Sequence, residues 1–309
     1  MDELQRMLRR WKRALSDLFA NKGQGGKPER PQIKMCPICG KFVEKDARNC
    51  EYCEAELQPG SRPTIDTQGS GEPLNPTVVL FTICIVMYFI SLVFSSKEAV
   101  DRHGLFSMLD PVNVVLFRLG ANSSAFVFDG QWWRLITYIF LHGGVMHIVM
   151  NMMALAQLGP LVFQSYGNVR FWLITIITGI AGGLASALLS FNSMQHLSVG
   201  FSGSLFGFLG ISYVYCKNNG HFHEAERLKK FMIWGNVILI GLTYTNIMRI
   251  DNAAHLGGMF MGLAMGYAFE TRFMKFLNPK FERLAVYALF LWWAFGLFRC
   301  VQLIHSGYG

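Results

Sequence analysis

Residues 200–217 read GFSGSLFGFLGISYVYCK and residues 251–270 read DNAAHLGGMFMGLAMGYAFE. Each stretch is apolar at helical length and studded with glycine, and each carries one reactive group near its start, Ser202 and His255. From Ser202 to the first charge, Lys217, is about 16 residues, or ~24 Å of helix at 1.5 Å per residue. His255 to Glu270 is much the same. A bilayer's hydrocarbon core is ~30 Å thick, so helices of this length begin several ångströms below one surface. Gly203-x3-Gly207 on one and Ala254-x3-Gly258-x3-Gly262 on the other are small-residue faces that let two helix backbones approach closely. The pair predicts a serine and a histidine meeting inside a membrane.

The surrounding sequence agrees with that setting. Of 309 residues, 16% are charged and 52% hydrophobic, with 26 Phe, and mean hydropathy is positive. Soluble domains run nearer a quarter charged, which excludes an ordinary soluble enzyme. Residues 1–75 are polar, and seven apolar segments follow at roughly 76–96, 135–163, 168–192, 202–217, 231–248, 254–269 and 284–304. Seven such segments leave too little polar chain to cover a soluble core, so the expectation is an all-α polytopic membrane protein. The net charge of +8 is a membrane signature rather than one of nucleic-acid binding. Lys217, Arg227, Lys229, Lys230, Arg272, Lys275, Lys280 and Arg283 fall in alternate connections, whereas the short connections between them carry only Arg249. This asymmetry puts the N-terminus in the cytoplasm and the C-terminus outside. It also puts Ser202 and His255 at the outer ends of their helices.

Polar groups at membrane depth are costly and mark function. The second segment supplies two more, His147 and Asn151, four residues apart on one helix face. A serine hydroxyl attacks only when a base accepts its proton, and imidazole titrates in the right range. His147, Asn151 and the Ser202 backbone N–H are candidate donors to the oxyanion that would develop. No Asp or Glu lies in the outer halves of these helices to orient His255, so the expected unit is a Ser–His dyad.

These residues carry a family likeness. Gly130-Gln131-Trp132-Trp133-Arg134, FLHGGVMHIVMNMMAL from Phe140 to Leu155, GFSGSLFG from Gly200 to Gly207 and DNAAHLGG from Asp251 to Gly258 together resemble the rhomboid intramembrane serine proteases. The resemblance covers about 76–270 and implies a six-helix core, with 284–304 as one further C-terminal transmembrane helix. It implies Ser202 as nucleophile, His255 as general base, and His147 with Asn151 at the oxyanion. His142 would line the site. Trp133-Arg134 would be a structural pair of the first loop, with a snorkelling interfacial arginine as the alternative. The implied activity is a serine-type endopeptidase cutting transmembrane protein substrates near their outer ends. The rivals are a catalytically silent rhomboid-like chaperone or binding protein, and a transporter or channel. The latter would place polar groups at several depths or in repeated halves.

Ahead of the core, Cys36, Cys39, Cys50 and Cys53 form C-x2-C-x10-C-x2-C. Two such knuckles supply four thiolates for tetrahedral zinc with no open position, a structural zinc ribbon rather than a catalytic cofactor. Iron in a rubredoxin-like site is the chemical alternative. The expected organisation is a basic amphipathic segment over 1–34, a zinc ribbon over 35–56 and a flexible linker over 57–75. The protease core then spans 76–270 and a C-terminal segment 271–309. Expected partners are the bilayer, transmembrane substrates and a cytoplasmic protein at the ribbon, with no nucleic acid. Without an Arg/Ser-rich, acid-poor leader, a bacterial plasma membrane is the expected location.

Overall fold

Glycine-lined apolar segments have one way to satisfy their backbone in lipid, and that is to coil. In the computed structural model, which describes residues 33–35, 42–44, 47–49, 75–96, 109–190, 197–247, 249–270 and 279–305, they do so. Helix α1 spans Pro76–Ser95; the short helices α2, α3 and α4 span Asn113–Arg118, Ser124–Phe128 and Arg134–Thr137. Helix α5 covers Val145–Leu189, α6 Ser202–Asn218, α7 Phe222–Tyr244, α8 Asn252–Glu270 and α9 Pro279–His305. Ahead of them, strands β1 (Ile33–Met35) and β2 (Phe42–Glu44) pair antiparallel, Met35 opposite Phe42.

Helix α5 holds two of the expected segments. Its 45 residues break at Gly167, whose φ of 77° is left-handed backbone that an L side chain rarely adopts, so two helices meet there at a kink without a separate loop. Three helices among the described residues are long and apolar enough to cross a membrane by length and composition: Pro76–Ser95, Val145–Leu189 and Lys280–His305. The protein is an integral membrane protein. Helix α6 is the shortest of the long elements, largely buried, and packed on α5, α7 and α8. The seam between α6 and α8 lies where the small residues predict it. A Cβ added to Gly258 would run into the carbonyl oxygen of Gly203, and one on Gly262 into that of Gly207. One on Gly210 would sit 2.6 Å from the Met259 carbonyl oxygen.

The second expected segment, 135–163, needs correction. Its first ten residues are not part of a long helix. They form α4, a 3₁₀ turn at Tyr138–Phe140 and an extended stretch before α5 starts at Val145. Residues 133–142 are all buried, so their apolar character reflects protein packing rather than lipid. Irregular backbone survives at such depth only when protein groups satisfy it. Here the Tyr138 carbonyl accepts from Gly200 N at 3.0 Å, Thr137 Oγ donates to Gly120 O at 2.7 Å, and Asp110 accepts from Val145 N at 3.2 Å. Helices α7 and α9 also begin earlier than expected, at Phe222 and Pro279, because charged residues continue each helix beyond its apolar stretch.

Arg134 settles its own alternative. It is fully buried, so it does not snorkel. Its Nε donates to Gln131 Oε1 at 2.8 Å, and Nη1 donates to the carbonyls of Phe117 and Ala121 at 2.7 and 2.8 Å. The guanidinium lies 4.1 Å from the Phe117 ring centre. One planar fork thus holds the α2–α3 region to α4, a geometry lysine cannot reproduce. Its neighbour Trp133 packs edge-on against Phe295 and under Arg299, both of α9. The other end of α9 is held by Glu282, which receives Nε of Arg170 at 3.0 Å and Nη2 at 2.8 Å.

Candidate functional site

Ser202 is the first residue of α6, and His255 lies in the first turn of α8. Because no Cβ separates Gly203 from Gly258, the two helix starts approach until Ser202 Oγ and His255 Nε2 are 2.8 Å apart. That is hydrogen-bond distance, with the serine hydroxyl donating when the imidazole is neutral and carries its proton on Nδ1. His255 is 5% exposed, and among the described residues its Nδ1 has no hydrogen-bond partner, so no carboxylate among them completes a hydrogen-bonded triad. The ring is held instead by stacking: Phe206, one turn below Ser202 on α6, lies parallel to the imidazole with ring centres 4.4 Å apart and planes 13° apart.

The expected oxyanion residues converge on the backbone just before the serine. Gly200 has φ +124°, and a Cβ there would lie 2.6 Å from His147 Nε2 and 3.6 Å from Asn151 Nδ2. Both side chains thus face the Gly200–Ser202 turn from the first turns of α5. Asn151 is 6% exposed, and its Nδ2 has no acceptor among the described residues. A buried amide donor without a partner is costly, and at functional sites it is commonly kept for a ligand. His142 lines the same corner, its ring edge-on to His147 with centres 5.2 Å apart. The turn itself is pinned by Gly200 N donating to the Tyr138 carbonyl, while the Tyr138 hydroxyl donates to Gly179 O at 2.6 Å.

The structure thus brings Ser202 and His255 together and sets His147 and Asn151 against Gly200, two residues before the serine, in a site built from α5, α6 and α8. Phe206 was not singled out from sequence, although its spacing of four from Ser202 on one helix was visible. Among the described residues no three His, Cys, Asp or Glu side chains gather as a metal site. Cys36, Cys39, Cys50 and Cys53 lie outside the described residues, as do the basic segment before Ile33 and most of the 57–75 linker.

Fold and site define a polytopic helical membrane protein whose serine and histidine meet between closely packed helices. Comparison with known proteins adds the lineage: the Rhomboid domain matches residues 129–272. RHOMBOID-like protein 7 of Arabidopsis thaliana is 30% identical over 242 residues, 74% of this chain and 73% of that one. RHOMBOID-like protein 5 of the same plant is 34% identical over 175 residues, 56% of each chain. Rhomboid protease GluP of Bacillus subtilis is 36% identical over 148 residues, 48% of this chain and 28% of that one. The chain belongs to the rhomboid family. Its match spans about half the length of RHOMBOID-like protein 5 and about a quarter of that of the Bacillus protease.

Proposed function

We propose that this protein is an intramembrane serine endopeptidase that cleaves transmembrane protein substrates through a Ser202–His255 dyad. The observation that carries this reading is the 2.8 Å separation of Ser202 Oγ and His255 Nε2 at the starts of two glycine-packed helices. In the reaction His255 Nε2 takes the hydroxyl proton as Oγ bonds to the scissile carbonyl carbon. The resulting oxyanion is stabilised by Asn151 Nδ2, with the His147 ring and the Ser202 backbone N–H as further donors. Collapse breaks the C–N bond, and His255 delivers its proton to the leaving amine. Water then repeats the sequence on the ester, freeing Ser202. A helical substrate hides its peptide bonds in its own hydrogen bonds, so segments weakened by Gly or Pro near their outer end fit the site best.

The positive residues in alternate connections support an N-terminus in the cytoplasm, a C-terminus outside and a six-plus-one helix arrangement. The spacing of the four cysteines supports a structural zinc site. Cys36, Cys39, Cys50 and Cys53 would hold the ion, which contributes folding free energy to a segment too small for a core. The proposed division is ribbon 35–56, linker 57–75 and core 76–270, with a cytoplasmic protein as the ribbon's partner.

The test is covalent labelling of the detergent-solubilised full chain by a fluorophosphonate probe. Wild-type protein is expected to label at one site, and Ser202→Ala and His255→Ala are expected to lose labelling while keeping the melting temperature. Asn151→Ala is expected to slow cleavage of a transmembrane substrate by about 10²–10³-fold, the effect of one oxyanion donor. A folded wild-type chain that neither labels nor cleaves is instead the silent binding protein.

A further inference from the structure

A Ser–His pair without a hydrogen-bonded acid leaves two tasks beyond the ring stacking that Phe206 supplies: fixing the backbone that carries the imidazole, and stabilising the positive charge it acquires on taking the serine proton. The nearest carboxylate on the same helix is Asp251, the residue just before α8 and one turn ahead of His255. All three of its oxygens accept hydrogen bonds that fix the start of that helix. Oδ1 accepts from Ala254 N at 2.9 Å, and the main-chain carbonyl accepts from His255 N at 3.2 Å. Oδ2 accepts from Ser186 Oγ at 2.5 Å, across 65 residues of sequence, and Ser186 is itself fully buried in the second half of α5. The same corner is packed without slack. A Cβ on Gly182 would lie 2.7 Å from the Ala254 carbonyl oxygen, and one on Gly257 would lie 2.6 Å from Ala185 Cβ.

We propose that Asp251 is a positioning residue for the Ser202–His255 dyad: tethered by Ser186, it caps the helix that carries His255 and holds a negative charge one turn from the imidazolium. This inference rests on the dyad reading given under Proposed function. It divides the work of a triad acid between two contacts, neither of them to the imidazole. Orientation travels through the backbone, since Ala254 N and His255 N are both bonded to Asp251. Charge stabilisation acts through space, from a carboxylate four residues ahead of the imidazole at the start of its helix. The carboxylate at the helix start also meets the positive end of the helix dipole, which stabilises it as an anion.

The experiment is fluorophosphonate labelling of the full chain in detergent, with kinact and KI measured separately and the end point counting competent sites. In this reaction the Ser202 Oγ–P bond forms, the P–F bond breaks and the hydroxyl proton passes to His255, so kinact reports the base. Asp251→Asn keeps the helix cap and removes the charge. Its kinact per competent site is expected to fall about tenfold, the scale of a charge within a turn in a partly buried setting. KI, end point and melting temperature are expected to stay at wild-type values. Ser186→Ala keeps the charge and removes the tether, and is expected to lower kinact a few-fold at unchanged KI. Asp251→Asn protein with wild-type kinact overturns the proposal, and so does a Ser186→Ala variant that loses only end point or melting temperature. Should Asp251→Asn fail to fold, the Ser186→Ala rates decide. Labelling that persists in Ser202→Ala overturns the dyad reading itself, an outcome separate from either Asp251 result.

Discussion

At the scale of single residues, geometry here depends on what is absent as much as on what is present. Gly200 has a positive φ and directly faces the His147 ring. Gly200→Ala adds a methyl 2.6 Å from that ring in a conformation alanine disfavours, so the turn must shift and carry Ser202 with it. The expected outcome is a loss of fluorophosphonate labelling of at least tenfold, and a melting temperature only a few degrees lower. A displacement of 1 Å at a reacting atom can cost ~10²-fold while stability changes little. Phe206 belongs to the same scale. It contributes no polar atom, yet its stacking keeps His255 facing Ser202 in the absence of a bonded carboxylate. Ser202, His255, His147 and Asn151 were all legible in the sequence because each is a polar group inside an apolar run. Phe206 was not, because an aromatic ring in a membrane helix is ordinary until its partner is known.

At the scale of elements, α6 and α8 show what the glycine spacing accomplishes. Without side chains between them, van der Waals contact and close backbone approach replace the hydrophobic effect, which does little between helices in lipid. Gly258→Ala is expected to destabilise the protein by about 3 kcal/mol or more, since the methyl would meet the Gly203 backbone, which has no rotamer to relieve the clash. Gly241→Ala on α7 serves as the contrast. Nothing lies within 4 Å of a Cβ there, so the substitution is expected to be neutral or to stabilise by about 0.5–1 kcal/mol through helix propensity. Reversible unfolding in mixed detergent micelles distinguishes the two. The 135–144 stretch is the element that sequence reading misassigned. Its run of apolar residues is as long as a helix segment, but periodicity cannot tell a lipid-facing helix from backbone buried in protein. Only the partners of its carbonyls and amides, at Gly200, Gly120 and Asp110, decide between them.

At the scale of the whole molecule, the last helix is bound to the core at both ends. Arg170, just beyond the Gly167 break, pairs with Glu282 near the start of α9, and Arg299 and Phe295 near its far end clasp Trp133. Glu282→Ala is expected to cost about 1–3 kcal/mol of stability by leaving a partly buried guanidinium unpaired. The reversed pair, Arg170→Glu with Glu282→Arg, is expected to recover much of that loss in the same unfolding measurement. Sequence alone determined that this chain is a membrane protein, which helices pack closest and which residues meet as a candidate dyad. It could do so because apolar length, glycine spacing and polar groups at membrane depth are local patterns that few alternative folds produce together. Tertiary structure alone decided that Arg134 is buried, that 135–144 is short helical turns and loop rather than part of a long helix, that Phe206 stacks on His255 and that Asp251 is tethered to Ser186. Each of these depends on partners far apart in sequence or on a ring's orientation, and no periodicity records a contact between residues 65 positions apart.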